Sequence, residues 1–164
     1  NYRAGLVAAP PEEGLRRILT GMIVLSGFET GGERLQTALD SGDQEDEHSC
    51  FSDNTHRDMV QDVRGVQNVY LGRYQRLDGS EVTGTGLREV VAAADPALAD
   101  SLEARIAESL TLAEALVPPF DREIATDNAE GRARVQALVI SLREQEDLLE
   151  QVFRLFALEV PVVE

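Results

Sequence analysis

The chain has 164 residues, of which 43% are hydrophobic, and its 15 basic and 30 acidic side chains give a formal net charge of −15. This size and composition are typical of a globular domain with a sizeable core. The negative charge disfavours nucleic acid and anionic membrane surfaces as partners, and no apolar run approaches the ~20 residues of a membrane span. Cys50 is the single cysteine, so no disulfide forms within the chain.

The first predicted helix runs from about residue 11 to about residue 40. Residues 10–13, Pro-Pro-Glu-Glu, are typical of a helix start, with proline in the first turn and acids at the positive end of the helix dipole. Apolar residues then recur at helical spacing. The stretch is rich in glycine, which predicts close backbone packing, a kink, or a break near Gly31 and Gly32.

An acidic loop at residues 40–47 is predicted to precede a second helix. This helix should start near Ser52–Thr55, which are all capping residue types, and end near Leu71. The glycine-containing residues 72–85 are predicted to form a connector. Further helices are predicted at residues 87–94, 95–117, 120–125 and 128–158.

Each long predicted helix carries one apolar face, which must be buried against another helix. The predicted fold class is therefore all-α, an antiparallel four-helix bundle with additional short helices. Residues 1–164 are expected to form a single domain. Because the chain starts at Asn1 without the pattern of a signal peptide, we expect a processed protein or a piece of a longer one.

Residues 45–58, called here the histidine segment, hold both histidines, the cysteine and several carboxylates. His56 is expected in the first turn of the second helix, where the helix dipole favours the neutral imidazole that binds metals. Asp53 should lie within one turn of it. These two residues are the candidate metal ligands.

A purely structural interpretation of the same residues stays open. The residue types of Ser52–Thr55 also suit a simple helix cap, and Thr55 followed by Asp58 resembles a capping box. His56 would then be a hydrogen-bonded core residue. Cys50 is interpreted as a small buried side chain rather than a nucleophile, because spacing places no base beside it.

Glu33 and Arg34 are second-rank site candidates on the first helix, one turn after Glu29. Their glycine-rich surroundings lead into the acidic loop. A structural ion pair between Glu33 and Arg34 is the alternative. No G-x-S-x-G and no H-E-x-x-H motif occurs, so a serine hydrolase or a standard zincin is not indicated.

Three blocks of this sequence resemble the imelysin-like family, also described as a family of insulin-cleaving metallopeptidases. They are Gly32–Leu35, Glu45–His56 and Gly65–Gly72. The resemblance implies a protein of two helical bundles around a shared cleft, with this chain as the second half. It also implies export to the periplasm or cell envelope and a link to iron uptake and iron regulation.

By position, the resemblance places Ser52, Asp53, Asn54 and His56 at the cleft, with Glu33 and Arg34 behind them. His56 and Asp53 are then implied as metal ligands, for iron or else zinc, and the other four as cofactor-binding residues. The family's G-x-H-x-x-E signature is absent here. A complete site would therefore need the N-terminal half of the same protein as a partner.

The expected function is a non-catalytic, metal-binding envelope protein, linked to iron and in contact with an envelope iron-uptake component. One alternative is a zinc metallopeptidase, which needs an open metal position and a general base. The other is an acidic protein-interaction module, in which the histidine segment is only a helix cap.

Overall fold

The computed structural model describes residues 1–158, and nearly all of their regular structure is helical. The predicted all-α class is confirmed. The α-helices are α1 (Tyr2–Ala8), α2 (Pro11–Ile23), α3 (Thr37–Ser41), α4 (Thr55–Leu71), α5 (Leu87–Ala94), α6 (Pro96–Glu114), α7 (Phe120–Ile124) and α8 (Ala129–Leu155). A π-helix spans Val24–Gln36, a 3₁₀ turn spans Gln44–Asp46, and two strands, β1 (Arg73–Gln75) and β2 (Glu81–Thr83), complete the order.

The first long helical segment is continuous from Pro11 to Ser41, as its spacing predicts, and it follows the short helix α1, which was not predicted. Pro11 occupies the first helical position. In the first turn, Glu13 accepts hydrogen bonds from Arg16 and Arg17, which lower the pKa of its carboxyl group to about 2. The segment ends at Gly42, whose φ of 67° is left-handed and favours glycine.

The break expected near Gly31 and Gly32 is absent, and the chain instead winds through them as a π-helix. Glycine allows other elements to approach this wider helix closely. A Cβ atom built on Gly27 would overlap the carboxylate of Glu146 on α8, and one on Gly31 would lie 3.5 Å from the Cβ atom of Leu142, also on α8. The glycines therefore serve close packing, which was one of the predicted alternatives.

The predicted connector at residues 72–85 contains an antiparallel hairpin, which corrects the expectation of a loop without strands. β1 pairs with β2 in the register Arg73 with Thr83 and Gln75 with Glu81. Gly79, with φ of 83°, closes the turn by donating its N–H to the carbonyl of Arg76. Both strands are exposed on both faces, so they lack the apolar alternation that identifies a half-buried strand.

The core consists of two clusters of buried side chains. One joins α2, α4, α5, α6 and α8 around Tyr70, whose hydroxyl donates to the carbonyl of Ala99 at 2.8 Å. The other lies around Leu35, Met59 and Phe120. The π-helix packs mainly on α8, which also packs on α6, and α6 packs on α4. The antiparallel four-helix arrangement stays a prediction.

The predicted bounds hold for α4 and α5, whereas α6 ends at Glu114 and α8 at Leu155, each three residues before the predicted end.

The interior also contains polar contacts between helices. The buried hydroxyls of Ser109 on α6 and Ser141 on α8 share a hydrogen bond of 2.9 Å. Within residues 1–158, none of the helices has the length and apolar character needed to cross a lipid bilayer.

Candidate functional site

The histidine segment is tied to the start of α4 by side-chain hydrogen bonds. The hydroxyl of Thr55 accepts the backbone N–H of Ser49 at 3.0 Å. The carboxylate of Asp58 accepts hydrogen bonds from the amide of Asn54, at 3.0 Å, and from the hydroxyl of Ser49. These contacts hold the loop against the first turn of the helix, so the side chains of residues 48–56 have defined positions.

The cap of α4 differs from the predicted capping box. Asn54 precedes the first helical residue, Thr55, and makes no side-chain cap hydrogen bond to the helix backbone. Thr55 is buried and already accepts from Ser49, and Asp58 is engaged by Ser49 and Asn54. The prediction of a Thr55–Asp58 capping box was therefore wrong, because both side chains form hydrogen bonds with the loop instead.

His56 lies in the first turn of α4, as predicted, and its half-buried ring lines a pocket of about 390 Å³. The pocket lies between α4 and the end of α6. The Nδ1 atom of His56 is buried and has no hydrogen-bond partner among the described residues. A buried polar atom without a partner costs stability, so it is a feature that needs a reason.

Asp53, the second predicted metal ligand, lies on the surface just before α4. Its φ of 48° is left-handed, a conformation that aspartate tolerates better than most residues. Its Oδ1 atom accepts a hydrogen bond of 3.1 Å from the amide of Gln44. Asp53 does not line the pocket beside His56, so the side chains of the two predicted metal ligands do not meet in that pocket.

Ser52 and Asn54 are exposed beside Asp53, and the hydroxyl of Ser52 donates to the carbonyl of Ser49 at 3.3 Å. Across residues 1–158, the structure forms no group of three or more His, Cys, Asp or Glu side chains arranged to hold a metal ion.

Glu33 and Arg34 are exposed on the π-helix, and they do not pair with each other as the alternative interpretation expected. Arg34 instead donates to Glu29, five residues earlier, at 3.3 Å. In a π-helix, residues five apart are neighbours along the helix. The same spacing joins the hydroxyl of Thr37 to the carbonyl of Gly32.

Glu33 lines a different depression from His56, on the side where the π-helix meets α8. Glu146, Asp147 and Glu150 of α8 also line it. Burial raises the pKa of Glu146, and the charges of Glu150 and Asp147 add to this effect. This depression is acidic, and no residue of the histidine segment lines it.

His48 is exposed on the loop, near Asp62 of α4. Burial raises the pKa of Asp62, while a hydrogen bond of 3.2 Å from the hydroxyl of Thr30 and the charge of His48 act in the opposite direction. Asp62 was not predicted as a site residue. Its position four residues after Asp58 on α4 was the available signal, since such residues lie on one face of a helix.

Glu47 is the most unusual residue that the sequence analysis missed. It is only 5% exposed, and neither carboxylate oxygen has a hydrogen-bond partner of good geometry among the described residues. Burial raises the pKa of Glu47; the nearby hydroxyl of Thr55 partly offsets this, and the charges of Asp121 and Asp53 add to it. Nothing in the sequence distinguishes Glu47 from the exposed acids beside it.

Cys50 is half-buried rather than buried as expected, and its carbonyl accepts a hydrogen bond from Gln44. The next residue, Phe51, is 98% exposed. A fully exposed aromatic ring within a loop that is otherwise well fastened is a surface to which another molecule can bind.

Comparison with known proteins agrees with the resemblance found in the sequence. A family model described as Imelysin (Peptidase M75) matches residues 1–149. No curated protein matches the chain.

Proposed function

Because the chain belongs to the imelysin family, we propose that it is a metal-binding protein of the periplasm or cell envelope, linked to iron uptake or iron homeostasis. In this proposal residues 1–164 form one antiparallel four-helix bundle. The site lies where this bundle meets an N-terminal bundle of the same protein. An envelope component of iron uptake is the proposed further partner.

The observation that carries the proposal is the position of His56. Its ring opens on a pocket instead of being sealed in the core, and its buried Nδ1 atom has no partner within residues 1–158. A second bundle that covers the pocket would supply the remaining ligands beside the part of the ring that lines it.

Asp53 is the proposed carboxylate ligand, and Ser52 and Asn54 are proposed to contact the metal's surroundings from the same turn. Imidazole and carboxylate donors suit iron, and zinc as the alternative. A bound metal would supply a positive charge that compensates the acidic loop. Since the described residues offer only part of a ligand set, the remaining donors are proposed to come from the N-terminal bundle.

Glu33 and Arg34 are left out of the proposed ligand set. Glu33 lines the acidic depression on α8, and Arg34 is engaged by Glu29.

Phe51 supports an interface beside the site. The ring is 98% exposed and lies two residues before Asp53. Burying an aromatic side chain against a partner contributes about 1.5–3 kcal/mol, so Phe51 would anchor the second bundle close to the metal ligands.

We propose binding rather than catalysis because the pocket offers no free carboxylate as a general base. Glu114 is the only acidic residue that lines it, among those the structure describes, and its carboxylate is paired with Arg64 at 2.8 Å. A zinc peptidase requires a base near the metal-bound water.

The test is a calorimetric titration of the full-length protein with ferrous and ferric iron. We expect His56→Ala to weaken binding at least tenfold, and His48→Ala to leave it unchanged. His48 is the matched control because it is an exposed histidine of the same segment. No heat of binding, or equal loss in both variants, would contradict the proposal.

A second measurement separates binding from peptidase activity. The full-length protein is incubated with a denatured peptide substrate, with and without a chelator. We expect no cleavage in either case. Cleavage that the chelator abolishes, and that His56→Ala also abolishes, would show that the non-catalytic part of the proposal is wrong.

A further inference from the structure

The pocket beside His56 has a chemical character of its own, which does not depend on a metal. Its volume of about 390 Å³ is in the range of small-molecule sites, roughly 300–1,000 Å³. Its lining combines arginine side chains with an apolar wall. We propose that this pocket binds a small organic carboxylate, held by Arg57 and Arg64.

Arg57 is the first reason. Within residues 1–158, Arg57 takes part in no ion pair or side-chain hydrogen bond and is exposed, so its guanidinium group is available to a ligand. Arg57 and Gln61, one turn further along α4, both line the pocket. They bring five guanidinium N–H donors and one amide group to the same opening.

Arg64 is the second reason, because it shows that the pocket already accommodates a carboxylate. Its Nη2 atom donates to Glu114 at 2.8 Å, from α4 across to α6. Both side chains are about half-exposed, at 42% and 52%, so this pair contributes little to stability and is readily exchanged. A ligand carboxylate would compete with Glu114 for the same guanidinium group.

The apolar wall specifies an organic ligand rather than an inorganic anion. Val60 of α4, which lies between Arg57 and Arg64 on the same helix face, lines the pocket together with Leu116 and Pro118 after α6. An apolar body packed on these side chains leaves its carboxylate at Arg57 and Arg64. The ring of His56 lines the same pocket.

The probe is benzoate, and its neutral analogue benzamide is the comparison. Metal is first removed from the full-length protein with a chelating resin, in a buffer free of carboxylate and phosphate. Binding is followed by two-dimensional NMR of backbone amides. We expect saturable shifts for benzoate, concentrated in residues 56–64 and 113–118, and at least tenfold weaker binding of benzamide.

Two variants are expected to change the affinity in opposite directions. Arg57→Gln should weaken benzoate binding about tenfold, since a charged hydrogen bond contributes about 1.5–3 kcal/mol. Glu114→Gln should tighten it about threefold, because the internal competitor for Arg64 is removed. Arg3→Gln on α1, which makes the same charge change away from the pocket, should have no effect.

Equal binding of benzamide, shifts spread over the surface, or equal weakening by Arg3→Gln would overturn the proposal. So would weaker binding in Glu114→Gln. Because the experiment is done without metal, it can fail while iron binding holds, and iron binding can fail while it succeeds.

Discussion

Two buried glutamates show how differently two regions of this protein treat the same charge. Where α7 meets α8, Glu123 is 2% exposed, and Arg134 donates to its two carboxylate oxygens at 2.8 and 2.6 Å. In the histidine segment, Glu47 is 5% exposed and has no such partner. The carboxylate of the first region is fully paired, whereas that of the second has no ion-pair partner among the described residues.

This difference explains why the two regions should respond differently to mutation. A fully paired buried carboxylate depends on its partner, and removing that partner is costly. An unpaired buried carboxylate lowers stability already, so neutralising it should help. Loss of a charge should therefore lower the free energy of unfolding at the α7–α8 junction and raise it at Glu47.

The largest effect is expected for Arg134→Met. This change leaves Glu123 buried and unpaired, so the free energy of unfolding should fall by about 3 kcal/mol, measured by urea denaturation. Arg154→Met is the matched control because Arg154 pairs with Glu150 on an exposed helix face at 2.6 Å, and its loss should cost less than ~0.5 kcal/mol. Equal losses in both variants would contradict the comparison.

Glu47→Gln should have the opposite sign. The substitution keeps the size of the side chain and removes the unpaired charge, so the free energy of unfolding at pH 7 should rise by about 1 kcal/mol. Glu45→Gln, an exposed neighbour in the same loop, should change it by less than ~0.5 kcal/mol. Destabilisation by Glu47→Gln alone would indicate that its charge is needed in the fold.

The advantage of Glu47→Gln should also depend on pH. Burial raises the pKa of Glu47 above its usual value of 4.5, so the folded state favours the protonated form. Its contribution to stability is therefore fully present below the pKa of the unfolded state and is lost as pH rises through the raised pKa. The stability gap between the variant and the natural protein should be small near pH 4 and widen towards pH 8; a constant gap would contradict this cause.

The smallest effect on stability is expected for Phe51→Ser. The ring is 98% exposed, so the free energy of unfolding should change by less than ~0.5 kcal/mol. Association with the proposed N-terminal bundle should nevertheless be lost. It is measured by copurification of the two separately tagged halves. A substantial loss of stability would instead place Phe51 in a contact of its own bundle.

Much of the fold could be predicted because the residues at the helix ends indicate where several of the helices begin and end. α5 begins and ends as predicted, and α4 begins at Thr55 after a run of capping residue types. The β1–β2 hairpin could not be predicted from periodicity, since both strands are exposed on both faces. The end of α6, three residues before its predicted end, could not be predicted either. Helix ends depend on the packing of the last turn rather than on the apolar stripe.

The site was less predictable than the fold. The position of His56 in the first turn of α4 was predicted correctly, because the capping residue types before it fix the start of the helix. The ion pair of Arg34 was misjudged because its helix is not an α-helix. Glu47 could not be identified at all, since the burial of one acid among several in a loop is decided by distant elements such as α7 and its Asp121.

The π-helix has a consequence for anyone who reads related sequences against this one. Between Val24 and Gln36 the residues that face α8 and the core are Ser26, Gly27, Thr30, Gly31 and Leu35, which follow a wider repeat than that of an α-helix. If α-helical spacing were assumed through this stretch, the predicted inner face of α3 would be turned by part of a helical turn. Ala38 and Leu39, which are both buried, would then be assigned to the wrong side of the helix. When related sequences are compared, the α-helical spacing of buried positions should therefore be counted afresh from Thr37.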